Sequence, residues 1–232
     1  MNRIPDIKAD KLLGIGLYTP AEASRLLHIP SAKIIRWLRG HRIGERRYEP
    51  LWTQQVDIGD GATYLGFRDL MELRTAHAFM EAGVSPIMIR RAIVEARRYV
   101  DDERPLSTTA FKTDGRSIFL EIANDDGDPK LIDLFKRQFV FKRIIESSLR
   151  GVDFEDSVPA RWWPLSKDKR IVVDPERSFG QPIDSDTGVP TSVLAAAAKA
   201  EGAINRAATL WHVSQAAIRR AVEFEDALKA AA

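Results

Sequence analysis

Between residues 18 and 48 the chain carries seven basic residues, Arg25, Lys33, Arg36, Arg39, Arg42, Arg46 and Arg47, against two acidic ones, Glu22 and Glu45. Such a local excess is the footprint of a face that meets phosphate. Ser31 opens the segment that holds Lys33, Arg36 and Arg39, and the leading residues of a helix in this position reach base edges in a major groove. Helical spacing puts residues 32, 36 and 39 on one face and Lys33 off it, leaving one cation for phosphate and another for a base. Arg42, Arg46, Arg47 and Tyr48 follow as contacts to phosphate or the minor groove, while Ile34 and Trp37 read as core. Other chemistry is poorly supported. His28, His41, His77 and His212 are scattered without metal-ligand spacing, and Gly14-Ile-Gly16 lacks the third glycine of a dinucleotide loop. Asn124 to Asp128 has the composition of a calcium loop but not its ligand spacing, so it reads as a turn. No nucleophile elbow, phosphate loop or zinc-protease motif is present, and neither an enzyme nor a cofactor or metal is expected.

The elements that must position these residues follow from local signals. Thr19-Pro-Ala-Glu22 reads as a helix start, with Thr19 as cap, Pro20 at the first helical position and Glu22 completing a capping box. Ala23, Leu26 and Leu27 supply its apolar stripe. Pro30 disfavours helical geometry at Ile29, so a second helix runs from Ser31 through Arg39 to Gly40, and the pair reads as a helix-turn-helix. His41 to Trp52 is expected to form a hairpin or wing. Phe67, Leu70, Leu73, His77 and Met80 line one face of a helix over 66–83. Ser85 and Pro86 start the next, with Ile89, Ile93 and Ala96 inward and Arg90, Arg91, Arg97 and Arg98 outward. In the middle, residues 108–113 and 116–122 flank Asp114-Gly115, a pair suited to a tight hairpin turn, and Leu131 to Phe141 leads into a helix ending near Arg150. Strands are expected from Ala160 to Pro164 and from Ile171 to Pro175. Helices follow over 192–200 and 204–212, and a last one starts at the cap Ser214, carrying Ile218, Val222 and Phe224.

The whole chain has 232 residues, 44% of them hydrophobic and 29% charged, which is a globular composition. No uncharged apolar run approaches the ~18 residues of a membrane span, and the first sixteen residues lack the apolar stretch of a signal peptide. With no cysteine, a cytoplasmic protein away from membranes is expected. The net charge of +2 divides into +3 over residues 1–104, −1 over 105–165 and 0 over 166–232. Three units are accordingly expected in a mainly α protein with small β elements. They are a basic winged helix-turn-helix (1–104), a small mixed α/β unit (105–165) and a helix-turn-helix-like helical domain (166–232). Arg219 and Arg220 lie beside Glu223, Glu225 and Asp226, a mixture unsuited to phosphate, so the last unit is read as a protein-contact module anchored by Trp211 and Phe224. One short reading helix covers few base pairs, which points to a homodimer on two half-sites, sealed by Trp162, Trp163 or Trp211.

Two resemblances add to this reading. With its Tyr-Thr-Pro-Ala-Glu-Ala start, the Arg36-Trp37 pair and the Phe-Arg-Asp-Leu…Ala-Gly-Val-Ser-Pro pattern, residues 18–98 resemble a MerR-type winged helix-turn-helix domain. The stretch Val172-Val-Asp-Pro…Gly180-Gln-Pro…Ser214…Ala221-Val-Glu-Phe-Glu is similar to the small helical domain of VapB-type antitoxins. Their order resembles that of the large two-domain VapB-type antitoxins. This implies a protein that binds its double-stranded operator DNA, represses its own operon and masks a PIN-like ribonuclease toxin. A stand-alone MerR-like regulator and a protein-interaction scaffold without DNA contact remain the alternatives.

Overall fold

In the computed structural model, which describes residues 13–127 and 129–230, the apolar repeats of the first hundred residues form helices where their spacing predicts them. Helix α1 (Pro20–Leu27) and α2 (Ser31–Arg39) lead into an antiparallel hairpin of β1 (His41–Ile43) and β2 (Arg46–Tyr48), followed by α3 (Phe67–Glu81) and α4 (Pro86–Val100). Residues 1–12, on which most of the leader reading rests, and Asp128, the last residue of the acidic turn, lie outside the described residues. Helix α3 is buried on almost every side, from Phe67 and Leu70 to Ala76 and Phe79, and packs against the helices that follow it in the first two thirds of the chain.

The middle departs from the predicted hairpin. Residues on both sides of Asp114-Gly115 belong to one helix, α5 (Thr109–Asp126). Phe111, Gly115, Ile118, Phe119, Ile122 and Ala123 are its buried residues, at helical spacing. Thr108 caps its start by accepting from the Phe111 N–H at 3.1 Å. Gly115 serves close packing rather than a turn, because a Cβ there would come within 2.7 Å of the Phe111 ring. Helices α6 (Pro129–Lys136) and α7 (Gln138–Ser148) complete the unit. Its core is aromatic: Phe119 stacks on Phe135 at 4.6 Å between centroids, and Phe79 of α3 meets Phe119 at 4.7 Å and Phe141 at 5.5 Å.

A four-stranded antiparallel sheet follows in chain order, β3 (Val152–Glu155), β4 (Val158–Trp162), β5 (Ile171–Val173) and β6 (Pro182–Asp184). Because Trp162 pairs with Val173, the sheet joins residues on both sides of position 165. Ile171, Val172 and Val173 are all buried, as a short continuous apolar run in a covered strand should be. Three helices close the chain, α8 (Thr191–Glu201), α9 (Ile204–Leu210) and α10 (Gln215–Ala230). Leu194, Ala197, Ala207, Ala208, Ile218 and Ala221 form their own small core, whereas Phe224 and Leu228, further along α10, join the main one. Among the described residues no helix is long and apolar enough to cross a membrane.

Candidate nucleic-acid interface

The geometry of α2 is set by what surrounds it. Thr19 Oγ1 accepts from the Glu22 N–H at 3.2 Å and Glu22 Oε2 accepts from the Thr19 N–H at 2.8 Å, closing the capping box of α1. His28 ends α1 in the left-handed region at φ 57°, buried Ile29 pins the turn, and Pro30 sits as the cap of α2. Ile34, Trp37 and Leu38 face the core, which leaves Ala32, Ile35, Arg36 and Arg39 to solvent, with Ser31 and Lys33 half-buried.

The basic residues meet different fates. Lys33 turns inward, its Nζ 4.9 Å from the Trp37 ring centroid and 3.8 Å from Glu81 Oε1. Arg39 donates to the Gly61 carbonyl. Arg46 lies over the Tyr48 ring at 5.1 Å, Tyr48 stacks on His41 at 4.8 Å, and Arg47 pairs with Glu49 at 2.9 Å. Arg36 and Arg42 have no hydrogen-bond or ion-pair partner among the described residues. Arg42 also stands directly opposite Arg47 across the hairpin, an arrangement of like charges that destabilises a strand pair unless an anion lies against it. The groove between α2, the hairpin and the start of α4 holds about 670 Å³ and is lined by Arg36, Trp37, Tyr48, Ile87 and Arg90 among others.

Three positioning features escaped the reading of the sequence. Gly40, between α2 and β1, adopts φ 70° and ψ −177°, and a Cβ there would lie 2.3 Å from the Tyr48 carbonyl oxygen. Arg90 of α4 donates from Nε to the Pro50 carbonyl at 2.9 Å. Asp69, fully buried, accepts from Trp52 Nε1 (3.0 Å), the Gln55 N–H (2.7 Å), the Gly66 N–H (3.1 Å) and Arg104 Nε (2.7 Å), fastening the loop behind the hairpin to α3. Only Asp69 left a signal, as the third residue of its helix, where a carboxylate caps the N-terminus. In the same loop, the Ala62 N–H and the Tyr64 hydroxyl hold the exposed Asp60 carboxyl below its ordinary range, with a smaller contribution from the Arg39 charge.

At the other end of the chain the four partner-contact candidates separate. Trp211, 41% exposed, and Leu210, 61% exposed, sit together where α9 gives way to α10, and Arg219 is exposed nearby in the chain. Phe224 is buried, and Arg220 donates to the buried Asp184 at 2.6 and 2.9 Å and to Asp186 at 2.9 Å. Of the tryptophans expected at a dimer seam, Trp162 is buried and Trp163 is half-buried, donating to Asp153 at 2.9 Å.

No protein-family model matches the chain. A protein of Mycobacterium tuberculosis that carries an antitoxin name, VapB45, is 31% identical over 193 residues, which cover 75% of this chain and 79% of that protein. The X-ray crystal structure of Rv2018 from Mycobacterium tuberculosis superposes with a TM-score of 0.69 at 27% identity, covering 90% of this chain and 99% of that one. The chain belongs to the VapB-type antitoxin family, regulatory proteins of toxin–antitoxin systems rather than enzymes.

Proposed function

We propose that this antitoxin binds its own operator DNA as a homodimer, represses its operon and neutralises a PIN-like ribonuclease toxin. In this reading α1 and α2 are the helices of a MerR-like winged helix-turn-helix, and the β1–β2 hairpin is its wing. Helix α2 enters the major groove, leading with Ser31, Lys33, Arg36 and Arg39, while Arg42, Arg46, Arg47 and Tyr48 flank the backbone. Residues 105–165 and 166–232 serve protein contacts, with Trp211 and Arg219 the candidates that remain open to a partner.

The observation that carries the reading is the pair of exposed cations Arg36 and Arg42, on consecutive elements and without a partner among the described residues. Cations without carboxylate partners on neighbouring elements are suited to a row of phosphates. Fluorescence anisotropy of the full chain on duplex from its own upstream region, across a salt series, tests it. Replacing both arginines with alanine should weaken binding and flatten the salt slope by about 0.9 for each phosphate no longer neutralised. Unchanged affinity and slope in a folded double variant would overturn the reading.

A further inference from the structure

Three arginine side chains only 13–23% exposed each meet a carboxylate: Arg104 pairs with Asp69 at 2.7 Å, Arg68 with Asp102 at 2.7 Å and Arg220 with Asp184 at 2.6 Å. Arg74, on α3, is the exception. Among the described residues no carboxylate oxygen lies within 4.0 Å of its guanidinium. Its contacts are the Arg150 carbonyl at 3.3 Å, the Met71 sulfur at 3.9 Å and the face of Trp162, 4.5 Å from the ring centroid. Burial pulls its pKa down to about 10. A guanidinium withdrawn from water without a counter-ion is costly, and one carbonyl oxygen and a ring face offset that cost only in part. Among the described residues Trp162, only 4% exposed, has no acceptor for its indole N–H, and the partly buried His77 has no hydrogen bond at Nδ1, which lies 3.7 Å from Glu81 Oε1.

These three side chains line one groove of about 510 Å³ where α1, α3, α7, β4 and α10 meet. The rest of its wall is largely apolar, including Leu26, Leu27, Leu165, Phe224 and Leu228. We propose that this groove is a binding site for a small organic carboxylate with an apolar body, its head on Arg74 and its body against Leu26, Leu165, Phe224 and Leu228. A single cation sets the charge of the ligand. A carboxylate balances one guanidinium and matches its planar fork, whereas the second charge of a phosphate monoester would be left against apolar wall. Leu26 lies on α1 and Phe224 and Leu228 on α10, so an occupant touches the helix that precedes α2 and the last helix of the chain at once.

Calorimetric titration of the full chain with 4-phenylbutyrate and with decanoate, against the matching alcohols, tests the site. Both acids should bind saturably, with the alcohols at least about ten-fold weaker, as the loss of a charge-assisted pair predicts. Arg74→Gln should weaken the acids by about ten- to hundred-fold and leave the alcohols unchanged. Leu165→Glu provides a second variant at the lip of the groove, where a 53% exposed side chain tolerates change, and it should weaken the acids through repulsion. If Arg74→Gln does not fold, Leu165→Glu decides. Absence of saturable acid binding, equal affinity for acid and alcohol, or acid binding unaffected by Leu165→Glu would each overturn the proposal.

Discussion

Arg90 of α4 holds the carbonyl of Pro50 at 2.9 Å and donates a second bond to the carbonyl of Glu49, clamping the chain as it leaves the hairpin. Leu51, the next residue, donates its N–H to the Trp37 carbonyl at 2.8 Å, so hydrogen bonds tie α2, the hairpin exit and α4 together. Arg90→Ala should lower stability by about 1–3 kcal/mol, the range for hydrogen bonds from a charged donor. Because Arg90 is spent on carbonyls, the variant should bind DNA more weakly with an unchanged salt slope. A slope reduced by the equivalent of one whole phosphate would show that Arg90 meets the duplex itself.

Gly40→Ala tests the same corner from the backbone. Its φ of 70° with ψ near 180° is open essentially only to glycine, and the added methyl would press on the Tyr48 carbonyl at 2.3 Å. The strain should cost about 1–3 kcal/mol and show as a lower melting temperature. A melt indistinguishable from the wild type would refute this account of the turn.

Lys33 and Arg36, three residues apart, should behave differently. Lys33 is engaged by Glu81 and Trp37, whereas Arg36 has no partner among the described residues. Under the DNA-binding proposal Arg36→Ala should cost about 1–3 kcal/mol of operator affinity, with Lys33→Ala clearly the milder of the two. The reverse order in the same binding assay would mean that Lys33 leaves Glu81 on contact with DNA.

The two ends of the proposed partner surface also separate by experiment. Arg220→Ala leaves the buried Asp184 without its cation, and removing one member of a buried pair costs about 3–5 kcal/mol. Trp211→Ala, at an exposed corner, should leave the melting temperature within a few degrees while weakening toxin capture by roughly ten-fold or more if Trp211 is a central anchor. Co-purified toxin that persists at wild-type yield with Trp211→Ala would remove it from that surface.

Glu72 gives the fold a pH dependence of its own. Its fully buried carboxyl accepts from the Leu106 N–H at 3.2 Å and the Ser107 N–H at 2.9 Å, and burial raises its pKa from 4.5 to about 7. The folded chain therefore keeps this proton where the unfolded chain has lost it. Its contribution favours folding most below pH 4.5 and fades as pH rises through 7, by up to about 3 kcal/mol. Glu72→Gln removes that component, so wild type minus variant, measured by urea unfolding, should be more favourable to the wild type at pH 5 than at pH 8. An identical difference at both values would sink the assignment.

Helices announced themselves where a cap and an apolar repeat agreed without a competing turn signal, as at Thr19, Ser85 and Ser214. Asp114-Gly115 misled because turn chemistry is a two-residue signal, whereas the stripe from Phe111 to Ile122 spans three helical turns and buries more apolar surface. Among the candidate contacts, residue type revealed the basic excess but not which cations were already taken. Lys33, Arg39 and Arg220 find partners at Glu81, Gly61 and Asp184, between 22 and 48 positions away in the chain. Periodicity along one segment carries no information about such pairs. The lone cation at Arg74 was hidden for the same reason, since its isolation is a property of everything around it.

Tyr18, just ahead of α1, donates its hydroxyl to the carbonyl of Gly180 at 2.8 Å, and Leu17 donates its N–H to the carbonyl of Phe179 at 2.9 Å. The partners of these two residues are thus made 162 positions later in synthesis. On the ribosome, the Tyr18 hydroxyl is without this acceptor until residue 180 has emerged. A message cut short before that point keeps the Tyr18–Leu65 bridge but loses the tie from the front of the molecule to residues 179 and 180, and its product should be cleaved faster at that end, which is also the end proposed to read DNA.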